Sequence, residues 1–307
     1  MIVVLSGGVG GARFLEGLVQ IVPQEDVFVI GNTGDDEEFY GLHVSPDLDI
    51  VLYTLAGVVN KKQGWGFKDE TYHTMEQLSK LGNDSWFQLG DKDLATHIHR
   101  TNLLKQGKTL SEVTDEIRTS FGLQIKLVPM SDQKIQTLIK TPQGLLSFQE
   151  YFVKYRTQKL VLDIVYSGIE QAKPATGILE AINSATVIIL APSNPFVSIG
   201  TILAVPGIKD ALKKTKAKIA AVSPIIKGRT IKGPAAAMMQ SMGMEASAVG
   251  IAKQYRDFLD VLIIDSEDKD LRNDIDKLGI KPIVTNTIMN SKETKKDLAK
   301  IILKTVQ

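Results

Sequence analysis

The sequence IVVLSGGVGGARFLEGLVQI, residues 2–21, decides the fold of this chain. An apolar run from Val3 to Ser6 ends at a glycine-rich turn, and residues 12–21 follow with apolar side chains at helical spacing. This order predicts a strand, a glycine turn and a helix. A second apolar run, Val27 to Ile30, completes a β-α-β unit, which implies two parallel strands joined by a right-handed connection.

The same pattern returns in the second half of the chain. From Val161 onward, helical stretches separate four apolar runs typical of buried parallel strands, at residues 186–190, 219–222, 261–264 and 282–284. The sequence therefore predicts an α/β fold with a Rossmann-like, three-layer core around a parallel sheet. We expect residues 1–59 and 156–307 to form this core.

Residues 60–155 have a different character, with more charged and aromatic side chains. Their spacing predicts helices at 70–81, 92–104 and 110–121, and short strands at 124–128 and 144–148. We expect an inserted, smaller and mostly helical domain that covers the substrate.

Composition excludes several classes of protein. The 307 residues include 36 basic and 35 acidic side chains, and a net charge of +1 gives no overall attraction to nucleic acid or anionic membranes. The chain has no cysteine, which excludes disulfides, thiolate nucleophiles and cysteine-bound zinc. There is neither a membrane-length apolar segment nor a secretory signal after Met1. We expect a cytoplasmic protein without nucleic-acid or membrane partners.

An acidic segment follows the first β-α-β unit. It includes Asp35, Asp36, Asp47 and Asp49, set among glycine and proline residues that hold short carboxylates on turns. Such carboxylates suit a hard divalent cation, so Asp36, Asp47 and Asp49 are candidate ligands of Mg²⁺. The alternative is a solvated loop in which the aspartates cap helices and form turns.

The glycine turn is a candidate anion site. Backbone N–H groups of Gly8, Gly10 and Gly11, with Arg13, could approach a phosphate at the start of the helix. The turn lacks the last glycine of the dinucleotide-binding fingerprint, and Asn32 stands where that fingerprint places its ribose-binding acid. It is not a Walker A loop either, since no Gly-Lys-Ser/Thr follows. The alternative is a tight turn that allows close packing of strand and helix.

Two further loops follow predicted parallel strands, where open α/β sheets bind ligands. Hydroxyls, an amide, glycine N–H groups and an ammonium suit a phosphate or a nucleobase, although ordinary turn chemistry is the alternative. The candidate nucleotide-binding residues in these loops are Ser193, Asn194, Ser198, Gly200, Ser223 and Lys227.

The segment WFQLGDKDLATH, residues 86–97, is a dense polar cluster. His97 and His99 would point apart on a helix and have no evident third partner, which argues against zinc. A helix start that carries Asp91 and contacts the substrate is the preferred interpretation. Ser131 is a candidate loop contact, with a helix cap as its alternative.

Eight short motifs occur along the chain in an order that resembles the 2-phospho-L-lactate transferases of deazaflavin coenzyme F-420 biosynthesis. They are SGGVGGAR (6–13), NTGDD (32–36), SPDLD (45–49), GWG (64–66), LGDKDLATH (89–97), PMSD (129–132), PSNP with SIG (192–195 and 198–200) and SPII (223–226). One motif alone would be weak, whereas the ordered set is highly specific.

The resemblance implies a homodimer and a magnesium-dependent transfer. A 2-phospho-lactyl group, or a phosphoenolpyruvyl or related group, would pass from a guanosine-diphosphate-linked donor to the terminal ribityl hydroxyl of the deazaflavin Fo, with release of GMP. By position, Asp49 and Gln88 would contact Fo, with glutamine standing where some relatives are expected to carry a basic residue. The Ser193-Asn194 and Ser223-Pro224 loops would hold the guanosine diphosphate part.

The residues are compatible with this chemistry, which needs an oriented hydroxyl and a cation on the diphosphate oxygens. We expect Asp47 or Asp49 to orient or deprotonate the hydroxyl and to help hold Mg²⁺, while Lys227 and the glycine amides bind the diphosphate. Replacing Asp49 by Asn is expected to abolish turnover and to leave folding largely intact. Two alternatives stay open: a nicotinamide-dependent dehydrogenase, and a nucleotide-binding regulator without catalysis.

Overall fold

The computed structural model describes residues 1–306 and is built around a seven-stranded sheet. All neighbouring strands of this sheet run parallel. In spatial order the strands are β14 (Lys281–Thr285), β13 (Val261–Asp265), β10 (Lys218–Val222), β9 (Val187–Leu190), β1 (Ile2–Ser6), β2 (Val27–Gly31) and β5 (Lys126–Pro129).

Helices cover both faces of the sheet, because its central strands are apolar on both sides. In β1, Val3 and Leu5 face one hydrophobic core, whereas Ile2 and Val4 face the other. The second core contains α1 (Gly8–Leu18), α2 (Pro46–Leu55), α5 (Leu110–Ser120) and α12 (Lys292–Val306). The first contains α6 (Ile178–Ser184), α7 (Ile199–Ala204), α8 (Ile208–Lys214), α9 (Ala235–Ser241), α10 (Ala248–Tyr255) and α11 (Arg272–Asp276).

The strand order contains a topological switch point between β1 and β9. Counted along the chain within this sheet, the order is 3-2-1-4-5-6-7, the doubly wound arrangement whose ligands bind where the direction of winding reverses. β1 pairs with β2 on one side and with β9 on the other. The loops after β1 and β9 therefore border one crevice at the carboxyl ends of the strands. The predicted three-layer α/β fold is confirmed.

The segment between β2 and β9 adds smaller elements. These are a hairpin of β3 (Glu37–Phe39) and β4 (Leu42–Val44), helices α3 (His73–Lys80) and α4 (Asp91–Lys105), and an antiparallel sheet of β6 (Gln136–Thr141), β7 (Gly144–Ser147) and β8 (Asp163–Ser167). A short hairpin of β11 (Ile225–Ile226) and β12 (Arg229–Thr230) follows β10.

Several elements depart from the expected division at residues 60–155: α5 and β5 lie within that range and belong to the main core, whereas β8 lies outside it and pairs with β6. β5 lies within that range, yet it pairs with β2 and forms the edge of the main sheet. Its apolar side chains Leu127 and Val128 are buried in the two cores. The range therefore contributes to the core as well as to the added elements. Within the described residues, no helix is long and apolar enough to cross a membrane.

Candidate active site at the switch point

Asp47 is held at the glycine turn by the start of α2. Pro46 occupies the first helical position, where its fixed φ favours the helix, and Asp47 and Asp49 both lie in the first turn. The Asp47 carboxylate accepts a hydrogen bond of 2.8 Å from Asn32 Nδ2 and another from the backbone N–H of Gly8. Asp47 thus lies directly above the loop that follows β1.

Asp47 belongs to a buried group of carboxylates with Asp35 and Asp36. Burial raises the pKa of Asp47 to about 6, against hydrogen bonds from Asn32 and Gly8 that lower it. Burial, followed by the charges of Asp47 and Asp36, raises the pKa of Asp35 well above its usual value. Carboxylates that repel each other in a site shielded from water hold their protons more tightly. This group can therefore accept a proton near neutral pH.

Asp36 is anchored by the β3–β4 hairpin. Its Oδ2 atom accepts a hydrogen bond of 2.6 Å from Ser45 Oγ and lies 3.0 Å from His43 Nε2. Burial nevertheless raises its pKa. The Oδ1 atoms of Asp35 and Asp36 are both buried without a hydrogen-bond partner. Buried polar atoms without partners are rare, and at a site they mark a place for an ion or a substrate.

Asp49 points away from this group. Residues two apart on a helix face different directions, and both Asp49 oxygens accept hydrogen bonds from the guanidinium of Arg100 on α4. Arg100 is 1% exposed and Asp49 is 4% exposed, so the pair is shielded from water. In the structure Asp49 is paired with the buried cation of Arg100, and the expected contact of Asp47 and Asp49 with one metal ion stays a prediction.

The Arg100 contact continues into a buried network on α4. Arg100 Nη1 lies 3.2 Å from His97 Nδ1, and His97 Nε2 lies 3.2 Å from Asp93 Oδ1. Asp93 also accepts a hydrogen bond of 2.7 Å from the Tyr53 hydroxyl on α2. The network joins α2 to α4 through polar groups alone. His97 is buried there, whereas His99 is exposed and faces Glu116, so the two histidines do point apart.

The glycines after β1 pack against neighbouring loops. A Cβ atom at Gly10 would lie 2.0 Å from the Pro192 carbonyl oxygen, and one at Gly11 would lie 2.1 Å from Ser6 Oγ. Neither position has room for a side chain, which supports the alternative that these two glycines allow close packing of the turn. Gly8 differs, because its φ of +63° suits glycine and its N–H binds Asp47.

Ser193 and Asn194 close the crevice from the β9 side. The Ser193 hydroxyl donates to the Gly7 carbonyl at 2.7 Å and accepts from the Gly7 N–H at 3.3 Å, which ties the two loops together. Asn194 Oδ1 accepts from the N–H groups of Phe196 and Val197. These side chains shape the crevice, and their use in nucleotide binding stays a prediction.

The remaining predicted nucleotide residues have partners within the chain. Ser198 packs against Gly7, and a Cβ at Gly200 would lie 2.7 Å from the Pro195 carbonyl. The Ser223 hydroxyl closes a turn with Ile225. Lys227 pairs with Glu267, and its N–H donates to Asp268. Lys227 would have to leave Glu267 to bind a diphosphate.

Gln88, Asp91 and Ser131, which were predicted to contact Fo, have hydrogen-bond partners within the chain. Gln88 is exposed and donates to the Ser85 carbonyl. Asp91 accepts hydrogen bonds from the N–H groups of His73 and Thr74 and from the Thr71 hydroxyl, so it caps α3. Ser131 is buried and donates to the Lys173 carbonyl. The structure supports the cap or turn role for Asp91 and Ser131.

The side chains of this site can be compared with the ligands that Mg²⁺ requires. Among residues 1–306, no three His, Asp or Glu side chains come close enough to hold a metal ion by themselves. Mg²⁺, however, is commonly bound by one or two carboxylates together with water and substrate phosphates. The unpartnered Oδ1 atoms of Asp35 and Asp36 fit that requirement. Asp49 does not, because Arg100 occupies both of its oxygens.

Sequence reasoning missed two residues of the site. Asn32 joins three parts of the crevice: its Nδ2 donates to Asp47 and to the Val197 carbonyl, and its Oδ1 accepts from Gly34. Its place directly after a predicted strand was the available signal. Arg100 had no such signal, since a lone arginine on a predicted helix does not identify a partner 51 residues away.

The fold and this site define a class of protein: a doubly wound α/β protein with a carboxylate-rich crevice at its switch point. The chain matches the family described as 2-phospho-L-lactate transferase CofD over residues 2–306. Among solved structures, a member of the UPF0052 family from Bacillus halodurans has a TM-score of 0.64 at 17% sequence identity, covering 98% of both chains. This likeness concerns the fold alone.

Curated relatives support the same family. A phosphoenolpyruvate transferase of Streptomyces griseus is 46% identical over 286 residues, which cover 91% of this chain and 90% of the relative. A 2-phospho-L-lactate transferase of Methanococcoides burtonii is 40% identical over 301 residues, 98% of each chain. The chain belongs to the 2-phospho-L-lactate transferase CofD family, a family of transferases. The resemblance drawn from the sequence motifs is thereby confirmed.

Proposed function

We propose that the protein transfers a 2-phospho-lactyl, phosphoenolpyruvyl or related group from a guanosine-diphosphate-linked donor to the ribityl hydroxyl of Fo. The hydroxyl oxygen attacks the phosphorus next to the three-carbon acid, and the bond from that phosphorus to the bridging oxygen breaks. GMP leaves with the bridging oxygen, and the product is a phosphodiester. The hydroxyl proton must pass to a base.

The single observation that carries the chemistry is the position of Asp47. Its buried carboxylate lies at the glycine turn of the switch point, where ligands of doubly wound folds bind. Burial raises the pKa of Asp47 to about 6, so its carboxylate is more basic than that of an exposed aspartate, although a cation bound beside it would lower this value. Asp47 is therefore our choice for the base.

Asp49 has a different role in this proposal. Its charge is balanced by Arg100, and its oxygens already accept two hydrogen bonds. Because Arg100 engages both oxygens, Asp49 serves to fix the start of α2 and thereby the direction of Asp47. Contact of Asp49 and Gln88 with Fo, expected from the family resemblance, stays a prediction.

The proposal includes a magnesium ion that binds the carboxylates beside Asp47. Asp35 and Asp36 would hold the ion with their unpartnered oxygens. The ion would offset negative charge on the diphosphate oxygens. This division leaves Asp47 free for the proton, and it avoids giving one carboxylate two tasks that oppose each other.

We also propose a homodimer. Support comes from apolar side chains that lie exposed on and next to the antiparallel sheet of β6, β7 and β8, among them Leu145, Leu160, Leu162 and Val165. Exposed apolar patches on soluble proteins commonly mark association surfaces. Light scattering of the purified protein, compared with a variant in which Leu145 and Val165 are changed to Ser, tests this point.

The transfer itself is tested with purified protein, Fo and guanosine-diphosphate-linked donors that carry lactate, enolpyruvate or glycerate. We expect GMP and phosphorylated deazaflavin in equal amounts, with magnesium and not with chelator. A folded protein that forms neither product from any of the three donors would refute the proposal.

A further inference from the structure

Two cations, Arg13 and Lys232, approach the 60–66 loop near the start of α1. Lys232 reaches from the loop before α9 toward the 60–66 loop, and its Nζ lies 2.9 Å from the point where a Cβ atom of Gly64 would stand. Burial, and then the charge of Arg13 on α1, lower the pKa of Lys232. Arg13 lines the same cavity as Gly64, so the two cations approach this cavity from α1 and from the loop before α9.

No carboxylate balances this pair. Within residues 1–306, neither Arg13 nor Lys232 forms a salt bridge with a carboxylate. Glu16 and Lys295 also line the cavity that contains Arg13, and they pair with each other. Two cations that lack a carboxylate partner can both donate charge-assisted hydrogen bonds to one anion.

There is room for such an anion. A cavity of about 260 Å³ is lined by Val9, Arg13, Lys61 and Gly64, among others. Gly64 has a φ of +82°, a conformation that other residues rarely adopt, and its lack of a side chain leaves the place that Lys232 uses. Lys61 adds a third positive charge at the cavity wall.

The cavity adjoins the proposed reaction centre. Val9 Cγ1 lies 3.7 Å from the Cβ position of Gly64, so the 60–66 loop contacts the first turn of α1. The residue before Val9 is Gly8, whose N–H binds Asp47. Gly8 and Arg13 lie five residues apart on α1, so about 1.4 turns of helix separate the contact with Asp47 from Arg13.

We propose that Arg13 and Lys232 form an anion subsite that binds the phosphate or the carboxylate of the phosphorylated three-carbon acid in the donor. The substrate class named here rests on the proposed function. Arginine would grip the planar or tetrahedral oxygens in pairs, and lysine would supply a point charge. The three-carbon end of the donor would thus lie against α1 and the 60–66 loop.

Calorimetric titration tests the subsite without turnover. The probes are phosphoenolpyruvate, which carries both anionic groups, inorganic phosphate and pyruvate. We expect Lys232→Gln and Arg13→Gln to raise the Kd for phosphoenolpyruvate about tenfold or more, because each removes one charge-assisted contact. Lys232→Arg keeps the charge, so its Kd for phosphoenolpyruvate should lie within about twofold of the wild-type value. The control Lys281→Gln, at an exposed and remote lysine, should give the same result.

The single-group probes separate the two anion sources. A loss confined to inorganic phosphate assigns the subsite to the phosphate, and a loss confined to pyruvate assigns it to the carboxylate. The inference is overturned if folded wild-type protein binds none of the three probes, or if both glutamine variants bind phosphoenolpyruvate as tightly as wild type. Thermal melting of each variant checks that it is folded.

The outcome is separable from that of the transferase assay. Wild-type protein that binds these anions and transfers nothing would refute the proposed function and leave the subsite standing. Lys232→Gln protein that transfers with an unchanged KM for the donor would refute the subsite and leave the function standing.

Discussion

Asp47 and Asp49 lie two residues apart in one helical turn, and their surroundings give them opposite chemistry. Burial beside Asp35 raises the pKa of Asp47, whereas Arg100 balances the charge of Asp49. The sequence could place both carboxylates at a helix start near a glycine turn. It could not assign their roles, because those depend on Asn32 and Arg100, which approach from other parts of the chain.

Replacing Asp47 by Asn removes the proposed base with little change in shape. We expect kcat to fall by at least about 100-fold, the usual range for loss of general base catalysis. Steady-state kinetics with Fo and the donor measure this, and Asp274→Asn, at an exposed aspartate paired with Lys277, is the matched control. Turnover within a few-fold of wild type would remove Asp47 from the base role.

Replacing Asp49 by Asn should destabilise the protein, contrary to the expectation from sequence that folding stays largely intact. The buried guanidinium of Arg100 would lose its counterion, a change that costs on the order of 3–5 kcal/mol. Urea unfolding measures the loss. The double variant Asp49→Leu with Arg100→Met should recover much of it, and equal losses in single and double variants would contradict this account.

Asp35 gives a pH dependence of stability whose sign follows from its raised pKa. The folded state holds the Asp35 proton more tightly than the unfolded chain does, so this stabilisation is complete below the unfolded pKa of about 4. It is lost as pH rises through the higher folded pKa. In chelator, the Asp35→Asn variant should therefore have a higher Tm than wild type at pH 8 and nearly the same Tm at pH 4. An equal difference at both pH values would exclude this cause.

At the scale of elements, a variant of Asp91 can show whether this residue has a structural role or contacts the substrate. Its carboxylate accepts the first N–H groups of α3, and those hydrogen bonds, from Thr71 first, lower its pKa. Asp91→Ala should lower the Tm by on the order of 2 °C through loss of the cap and leave the KM for Fo unchanged. A rise in the KM for Fo at unchanged Tm would instead support the substrate contact.

Most elements could be predicted from local pattern, and the reason is visible in β1 and α1. A strand buried on both faces is apolar throughout, and an amphipathic helix repeats its apolar positions, so each signal lies within a few residues. The start of α1 was harder, since the helix begins at Gly8 within the glycine run. Tertiary contacts of Gly10 and Gly11 outweigh their poor helix propensity.

Sheet membership could not be predicted in the same way. β5 has the local pattern of a strand wherever it lies, and only its pairing with β2 shows that it belongs to the main sheet. The site has the same limit: motifs identified Asp47 and Ser193, but the hydrogen bond from Asn32 and the cation pair of Arg13 and Lys232 depend on how distant loops meet.

At the scale of the whole molecule, magnesium should stabilise the fold. Ligands that bind the native state alone raise stability with their concentration, and an ion held by Asp35 and Asp36 would also relieve their repulsion. The Tm of the wild-type protein should be a few degrees higher in millimolar magnesium than in chelator. The combined variant Asp35→Asn with Asp36→Asn should show no difference, and an equal rise in that variant would place the ion elsewhere.

The place of β1 in the sheet has a consequence for synthesis of the chain on the ribosome. β1 is a central strand, and one of its two partners is β9, which begins about 180 residues later at Val187. At typical translation speeds, roughly 10 to 40 s pass between the emergence of the two strands. During that interval one edge of β1 and its apolar side chains lack their final partners. The nascent chain should therefore be a client of chaperones that shield apolar strands.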